Sequence, residues 1–340
     1  MEKKSTITDK LSRPIKDLRI SVTDRCNFRC TYCMPEQIYG HRYKFINKSS
    51  LLTFEEIITI TEILVEMGVQ KVRLTGGEPL LRDKIEDLIS PLANIPGIKE
   101  LTLTTNGYLL PKKAEKLKRS GINRITVSLD SLNNEIFKKI NGRNVDVSKV
   151  LTGIEAAEKA GFSPIKVNCV VERGINENSI LEMAEYFKEK GHILRFIEFM
   201  DVGTLNQWNL DKVVSAKEIV KIINSKMPIE PMAPTYFGEV ASRYQYKDGS
   251  GELGIISSVT QPFCGNCTRL RLSPEGNLYT CLFSNAGTDV RKLLRSNKNK
   301  KELKSLIKKT WLARKDKYSI DRSSNPNKST KKVEMYHIGG

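Results

Sequence analysis

Leu18-Arg19-Ile20-Ser21-Val22-Thr23-Asp24-Arg25-Cys26 begins as a β-rich run and ends in polar residues and a cysteine. Five further β-rich runs follow, at 72–75, 101–105, 124–129, 165–171 and 193–199. Helix-like patterns separate them, starting near Thr53, Asp83, Pro111, Ser148, Asn176 and Ser215. Thr53-Phe54-Glu55-Glu56 has the form of a capping box, with apolar residues at helical spacing behind it and Gly68 as the stop. Six strand–helix units in a row predict a parallel sheet, two short of a full eight-unit barrel. The expected fold is therefore α/β, an incomplete (β/α)6 barrel of the TIM type, with a doubly wound open sheet as the alternative. Polar residues cluster where the strands end: Gly76-Gly77-Glu78-Pro79, Asn106-Gly107, Asp130-Ser131 and Met200-Asp201. In both folds that edge binds ligands.

The rhythm breaks at Pro228, Pro231 and Pro234. Alternating segments at 243–247 and 253–259 flank Asp248-Gly249-Ser250-Gly251, and those at 270–273 and 277–282 flank Pro274-Glu275-Gly276. The expected division is residues 1–226 for the partial barrel and 227–340 for a smaller α+β domain, with helices near 288–296 and 301–314 and a polar stretch at 323–332.

The chain has 340 residues, 39% apolar and 28% charged, enough to bury a sizeable core. No window is apolar enough to cross a membrane, and the N-terminus lacks the apolar core of a secretory signal. The expected compartment is the cytoplasm, where thiols stay reduced. The net charge is +17, concentrated in residues 291–340, where sixteen Lys/Arg face four Asp/Glu. Such a block can bind a polyanion or form a solvated basic helical tail; the second is preferred.

Seven cysteines fall at 26, 30, 33, 169, 264, 267 and 281. Cys26-x3-Cys30-x2-Cys33 wraps three thiols around one compact centre. Structural zinc needs four ligands, which only a distant His41 could complete. A [4Fe–4S] cluster on three thiolates keeps one iron open. Cys264-x2-Cys267 followed by Cys281 again lacks a fourth ligand, and here a zinc ribbon is a serious alternative. Arg269 and Arg271 follow on one side of an extended segment, suited to gripping a phosphate if the segment is not simply an exposed edge strand. Cys169 is expected to be a buried small hydrophobe, His192 exposed, and Trp208 and Trp311 packing residues.

The first triplet, with Tyr32 before its last cysteine and Gly76-Gly77-Glu78-Pro79 after strand two, resembles the radical S-adenosylmethionine enzymes. Over nearly the whole chain the sequence is similar to one of their families, the GTP 3′,8-cyclases of molybdenum-cofactor biosynthesis. The resemblance rests on Arg19-Ile20-Ser21-Val22-Thr23-Asp24-Arg25-Cys26, Arg73-Leu74-Thr75-Gly76-Gly77-Glu78-Pro79, Leu103-Thr104-Thr105-Asn106-Gly107, Val127-Ser128-Leu129-Asp130, Arg195-Phe196-Ile197-Glu198-Phe199-Met200, Cys264-x2-Cys267-Thr268-Arg269-x-Arg271 and Gly339-Gly340.

It implies two [4Fe–4S] clusters, the first on Cys26, Cys30 and Cys33 and the second on Cys264, Cys267 and Cys281. It implies S-adenosylmethionine lined by Tyr32, Gly77, Ser128 and Met200, with the backbone at Gly76 and Gly77 close to the methionine ammonium. It implies GTP held by Arg19, Arg73, Thr104, Lys166, Thr268, Arg269, Leu270 and Arg271, with Lys71 and Arg195 as further contacts, and a catalytic part for Arg269, Arg271 and the Gly339-Gly340 tail. The expected product is (8S)-3′,8-cyclo-7,8-dihydroguanosine 5′-triphosphate. Expected partners are an electron donor, a downstream cyclic pyranopterin monophosphate synthase and a second copy of the chain, with no membrane and no nucleic acid. The competing functions are another radical enzyme with an auxiliary cluster, such as a peptide modifier, and a basic zinc-ribbon nucleic-acid binder.

Overall fold

The computed structural model describes residues 7–296, 300–322 and 332–339, so Gly340 and most of the polar stretch expected at 323–332 lie outside the described residues. The six expected strands form as β1 (Asp17–Ser21), β2 (Lys71–Thr75), β3 (Glu100–Thr105), β4 (Arg124–Ser128), β5 (Lys166–Val171) and β6 (Ile193–Glu198). They pair in parallel, in chain order. Helices return the chain along the outside. The capping box starts one of them, Phe54–Glu66: Thr53 Oγ1 accepts from the Glu56 amide at 3.2 Å, and the Glu56 carboxylate accepts from the Thr53 amide at 2.8 Å. Its Ile57, Ile60 and Leu64 pack into one apolar cluster with Leu18, Ile20, Val72 and Leu74 on the outer face of the sheet. Among the described residues four short helices had too brief a periodicity to be expected: Glu36–Tyr39, Asn134–Asn141, Tyr318–Asp321 and Met335–Ile338.

The C-terminal strands are β7 (Ile229–Met232), β8 (Ser242–Tyr246), β9 (Glu252–Ile256), β10 (Arg269–Leu272), β11 (Asn277–Tyr279) and β12 (Thr288–Asp289). They do not form a sheet of their own. β9 adds in parallel to β6, β10 adds in parallel to β1, and antiparallel β8-β7 and β11-β12 extend the two flanks. One twelve-stranded, unclosed sheet results. It curls so far that the β7–β8 loop reaches the opposite edge: Lys71 Nζ donates to Tyr236 Oη at 3.3 Å, and a Cβ on Gly238 would lie 2.9 Å from the Asn266 carbonyl oxygen.

Two expectations on bland residues need correcting. His192 is buried, because its ring stacks on Phe187 and its Nε2 lies 3.3 Å from Glu158 after the turn at Gly191. The basic C-terminal helices are not simply solvated. Arg295, Lys300 and Lys304 lie against Glu56, Glu62 and Glu66, the acidic side of the Phe54–Glu66 helix. Cys169 and Trp311 are buried, and the Trp208 indole N–H donates to the Phe199 carbonyl at 2.8 Å.

Candidate active site

Strands of a barrel buried on both faces usually read as continuous apolar runs. Here apolar and polar residues mostly alternate, with Val170, Ile193 and Ile197 as apolar positions on the inner face. Leu18, Ile20, Val72 and Leu74 face the helices, while Arg19, Arg73, Thr104, Ser128, Lys166 and Arg195 line a bore. The strand register then does what the sequence does not show: Arg271 on β10 sits opposite Arg19 on β1, which sits opposite Arg73 on β2. Like charges directly opposite one another destabilise a sheet. Burial and the neighbouring Arg269 and Arg73 pull Arg19 down to about 9, and burial with Arg195 and Arg124 does the same to Arg73. Burial and then Arg19 lower Arg271 as well. Arg73 leans on the Thr104 hydroxyl at 2.7 Å; Arg195 Nε and Arg124 Nη1 are buried without a protein partner. A bore walled this way suits a multiply charged anion.

This wall is not confined to the C-terminal strand edge. Lys71, Arg124 and Lys166 stand at the starts of β2, β4 and β5, so the cations reach the far end of the bore. Thr268 and Leu270 do not face it. Strand alternation turns Leu270 into the apolar cluster, and the fully buried Thr268 hydroxyl donates to Asp17 at 2.7 Å. The strand that carries Arg269 and Arg271 is no exposed edge either, since β10 pairs on both sides.

Cys26, Cys30 and Cys33 line the bore beyond the C-terminal ends of the strands. Burial is the main cause raising all three thiols, Cys26 to about 12, and for Cys30 and Cys33 the neighbouring cysteines add to it. Three half-buried thiols whose charged forms disfavour one another ionise together only around a cationic centre. Among the described residues no three His, Cys, Asp or Glu side chains are grouped to hold a single metal ion, and His41 is exposed. A larger iron–sulfur core fits this donor set better than one zinc.

The loop rests on Gly76 and Gly77. The Gly77 amide donates to the Thr23 carbonyl and the Glu78 amide to the Arg25 carbonyl, both at 2.8 Å. A Cβ on Gly77 would stand 2.3 Å from the Arg25 carbonyl oxygen, and one on Gly76 2.5 Å from that of Thr23. Thus the cysteine loop's own backbone already requires both glycines. Tyr32, Gly77, Ser128 and Met200 line this end, and the Tyr32 hydroxyl donates to Asp130 at 2.8 Å. Burial is the largest influence on Asp130, raising it to about 6.

Cys264 and Cys267 precede β10 and Cys281 follows β11, so the second triplet lies at the opposite end, with strands of ~3.3 Å per residue between the two. Burial alone would raise the Cys267 thiol, but Arg269 and Arg314 outweigh it and hold it down to about 6. Arg269 Nε lies 3.3 Å and Arg314 Nη2 3.1 Å from its sulfur. Arg314 was hidden among the cations of the basic tail; no spacing singled it out. The tail itself enters the bore. Tyr336 lines it, Ile338 is fully buried, and the Gly339 carbonyl accepts from the Arg271 guanidinium. Gly339 has φ +75°, and a Cβ there would meet Thr75 at 2.2 Å. Arg271, expected to hold substrate, thus also holds the tail.

Two family models match the chain, Radical SAM superfamily over residues 20–187 and Molybdenum Cofactor Synthesis C over residues 192–320. The GTP 3′,8-cyclase of Acidothermus cellulolyticus is 47% identical, across 98% of this chain and 99% of its own. That of Staphylococcus epidermidis is 48% identical, across 99% and 100%. Among solved structures, Streptococcus suis SuiB bound to S-adenosylmethionine superposes with a TM-score of 0.58 at 16% identity, covering 84% of this chain and 62% of that one; it shows a shared fold.

Proposed function

The chain belongs to the GTP 3′,8-cyclases, a family of radical S-adenosylmethionine enzymes, and from that premise we propose how its residues divide the work. It converts GTP to (8S)-3′,8-cyclo-7,8-dihydroguanosine 5′-triphosphate in molybdenum-cofactor biosynthesis. Cys26, Cys30 and Cys33 hold one [4Fe–4S] cluster, and Cys264, Cys267 and Cys281 a second. A cluster held by Cys26, Cys30 and Cys33 would, with S-adenosylmethionine bound and electrons from an external donor, supply the one-electron chemistry that removes the ribose C3′ hydrogen of GTP.

The remaining residues bind and orient. Tyr32, fixed by Asp130, lies with Gly77, Ser128 and Met200 along S-adenosylmethionine. Arg19, Arg73, Arg269 and Arg271, with Lys71, Lys166 and Arg195, take the triphosphate, whose charge relieves their mutual repulsion. Thr104 aims the Arg73 guanidinium. Thr268 and Leu270 contribute backbone only. The tail at Gly339 closes on Arg271 and keeps water out of the radical chemistry.

The observation that carries this reading is a pair of cysteine triplets at opposite ends of one arginine-walled bore. The residue roles, the division at 226/227, an electron donor, a cyclic pyranopterin monophosphate synthase as the consumer of the product, a homodimer and a cytoplasmic setting belong to the proposal. No described helix is long and apolar enough to cross a membrane, and three cations of the basic helices pair with carboxylates on the surface of the Phe54–Glu66 helix. The test is iron and sulfide content after anaerobic purification. About eight irons per chain are expected, and about four in either Cys30→Ala or Cys267→Ala. Zinc without sulfide would overturn the reading.

A further inference from the structure

Asp201 directly follows Met200 at the end of the β6 segment and is buried. Its carboxylate gathers three groups from the C-terminal part of the chain. The Tyr318 hydroxyl donates to it at 2.5 Å, Lys332 Nζ donates to it at 2.8 Å, and Arg322 Nη2 lies 2.7 Å away. Lys332 Nζ also donates to the Asp201 backbone carbonyl at 2.8 Å. Phe283 and Tyr318 stack at 4.4 Å, and both cations lie over these rings. Tyr318 and Arg322 precede Lys332 by fourteen and ten positions, so a single carboxylate joins sequence-separated points of the C-terminal part. Just beyond Lys332 the chain makes its run into the bore. Glu334 accepts from the Thr204 amide at 2.9 Å, Tyr336 meets Tyr43 hydroxyl to hydroxyl at 2.9 Å, and Gly339 ends on Arg271.

We infer that Asp201 is a positioning residue: it clasps the returning chain at Tyr318, Arg322 and Lys332 and so sets the register in which the tail carries Gly339 onto Arg271. The chemistry favours this over a purely structural ion pair. The buried Asp201 carboxylate is paired with two half-buried cations ten residues apart in the chain, and because a buried charge left unpaired is costly, the carboxylate favours the arrangement that keeps both in place. Six residues separate Lys332 from Gly339, and a slip of the anchor by one position would move the tail by about one residue's length, ~3.3 Å, enough to break the Arg271 contact. The consequence for turnover rests on the proposed reaction; the clasp itself does not.

The experiment uses the full-length, cluster-loaded enzyme as Asp201→Asn and, because Asp201 adjoins Met200, also as Lys332→Gln, with Lys332→Arg as the conservative control. Carboxypeptidase trimming of the C-terminus is followed by mass spectrometry, alongside product formation from GTP and 5′-deoxyadenosine release. Both loosened variants should retain their iron, be trimmed about tenfold faster as the tail opens locally, and form product about tenfold more slowly with 5′-deoxyadenosine release increasingly uncoupled. Lys332→Arg should behave as the parent chain. Unchanged trimming in both variants overturns the inference, as does lower turnover explained by lost iron in both. Trimming is read without turnover, so a parent enzyme that leaves GTP unreacted would refute the proposed reaction and not the clasp.

Discussion

Lys166 is the side chain through which the electrostatics of the bore can be measured. Burial first, then Arg124, Arg195 and Lys71, hold its ammonium down to about 8. A triphosphate beside it would reverse that shift, because a nearby opposite charge favours the charged form. Below pH 7 the free enzyme already carries the proton and binding takes up none. Above pH 8 the free amine is neutral, so GTP binding must draw a proton from buffer, and affinity falls as the pH rises. Calorimetric titration with GTP at pH 8.5, in two buffers of different ionisation enthalpy, should show roughly three-quarters of a proton taken up, and Lys166→Met should remove it. No uptake in the parent enzyme would take Lys166 out of the phosphate site. At this scale local patterns show which residue types matter, and the grouping of the arginines came only through the family resemblance. Arg19, Arg73 and Arg271 come from strands far apart in the chain, and only the pairing register puts them in one row. Arg314, on Cys267, has no local signature at all.

Among the elements, the cysteine loop and the Gly76-Gly77-Glu78-Pro79 turn work as one piece. The motif was readable in the sequence, but its physical reason was only partly so. A close approach to the ligand was the expected cause, whereas the nearest atoms to a Cβ at Gly77 belong to the Arg25 backbone. Backbone cannot step aside as a flexible side chain does. Gly77→Ala should therefore displace residues 23–25 and cost the first cluster while the second, at the far end of the bore, stays loaded. Iron should fall by about half and 5′-deoxyadenosine formation should be lost. Full iron with normal S-adenosylmethionine cleavage would show that the loop tolerates the displacement. Strand periodicity also misled in one respect. Hairpin signals at 243–259 and 270–282 were correctly placed, yet nothing local says that β9 and β10 pair in parallel with β6 and β1 instead of with one another.

Across the whole molecule, the six-unit barrel was evident from the repeated strand–helix period, and its unclosed state is what gives the C-terminal strands two edges to join. That union brings Cys264, Cys267 and Cys281 to the end of the bore opposite Cys26, Cys30 and Cys33. The basic tail, ambiguous as a charge pattern, resolves into docked helices, a clasp on Asp201 and a last turn inside the bore. If the arginine row holds the triphosphate and the first triplet holds the radical source, the ribose must sit between them, with C3′ offered to the deoxyadenosyl group. The decisive measurement is anaerobic turnover of GTP deuterated at C3′ with S-adenosylmethionine and a reductant, followed by mass analysis of the nucleosides. Deuterium should appear in 5′-deoxyadenosine in step with the cyclised triphosphate. Release of 5′-deoxyadenosine without deuterium, or no consumption of GTP by an enzyme carrying both clusters, would contradict it.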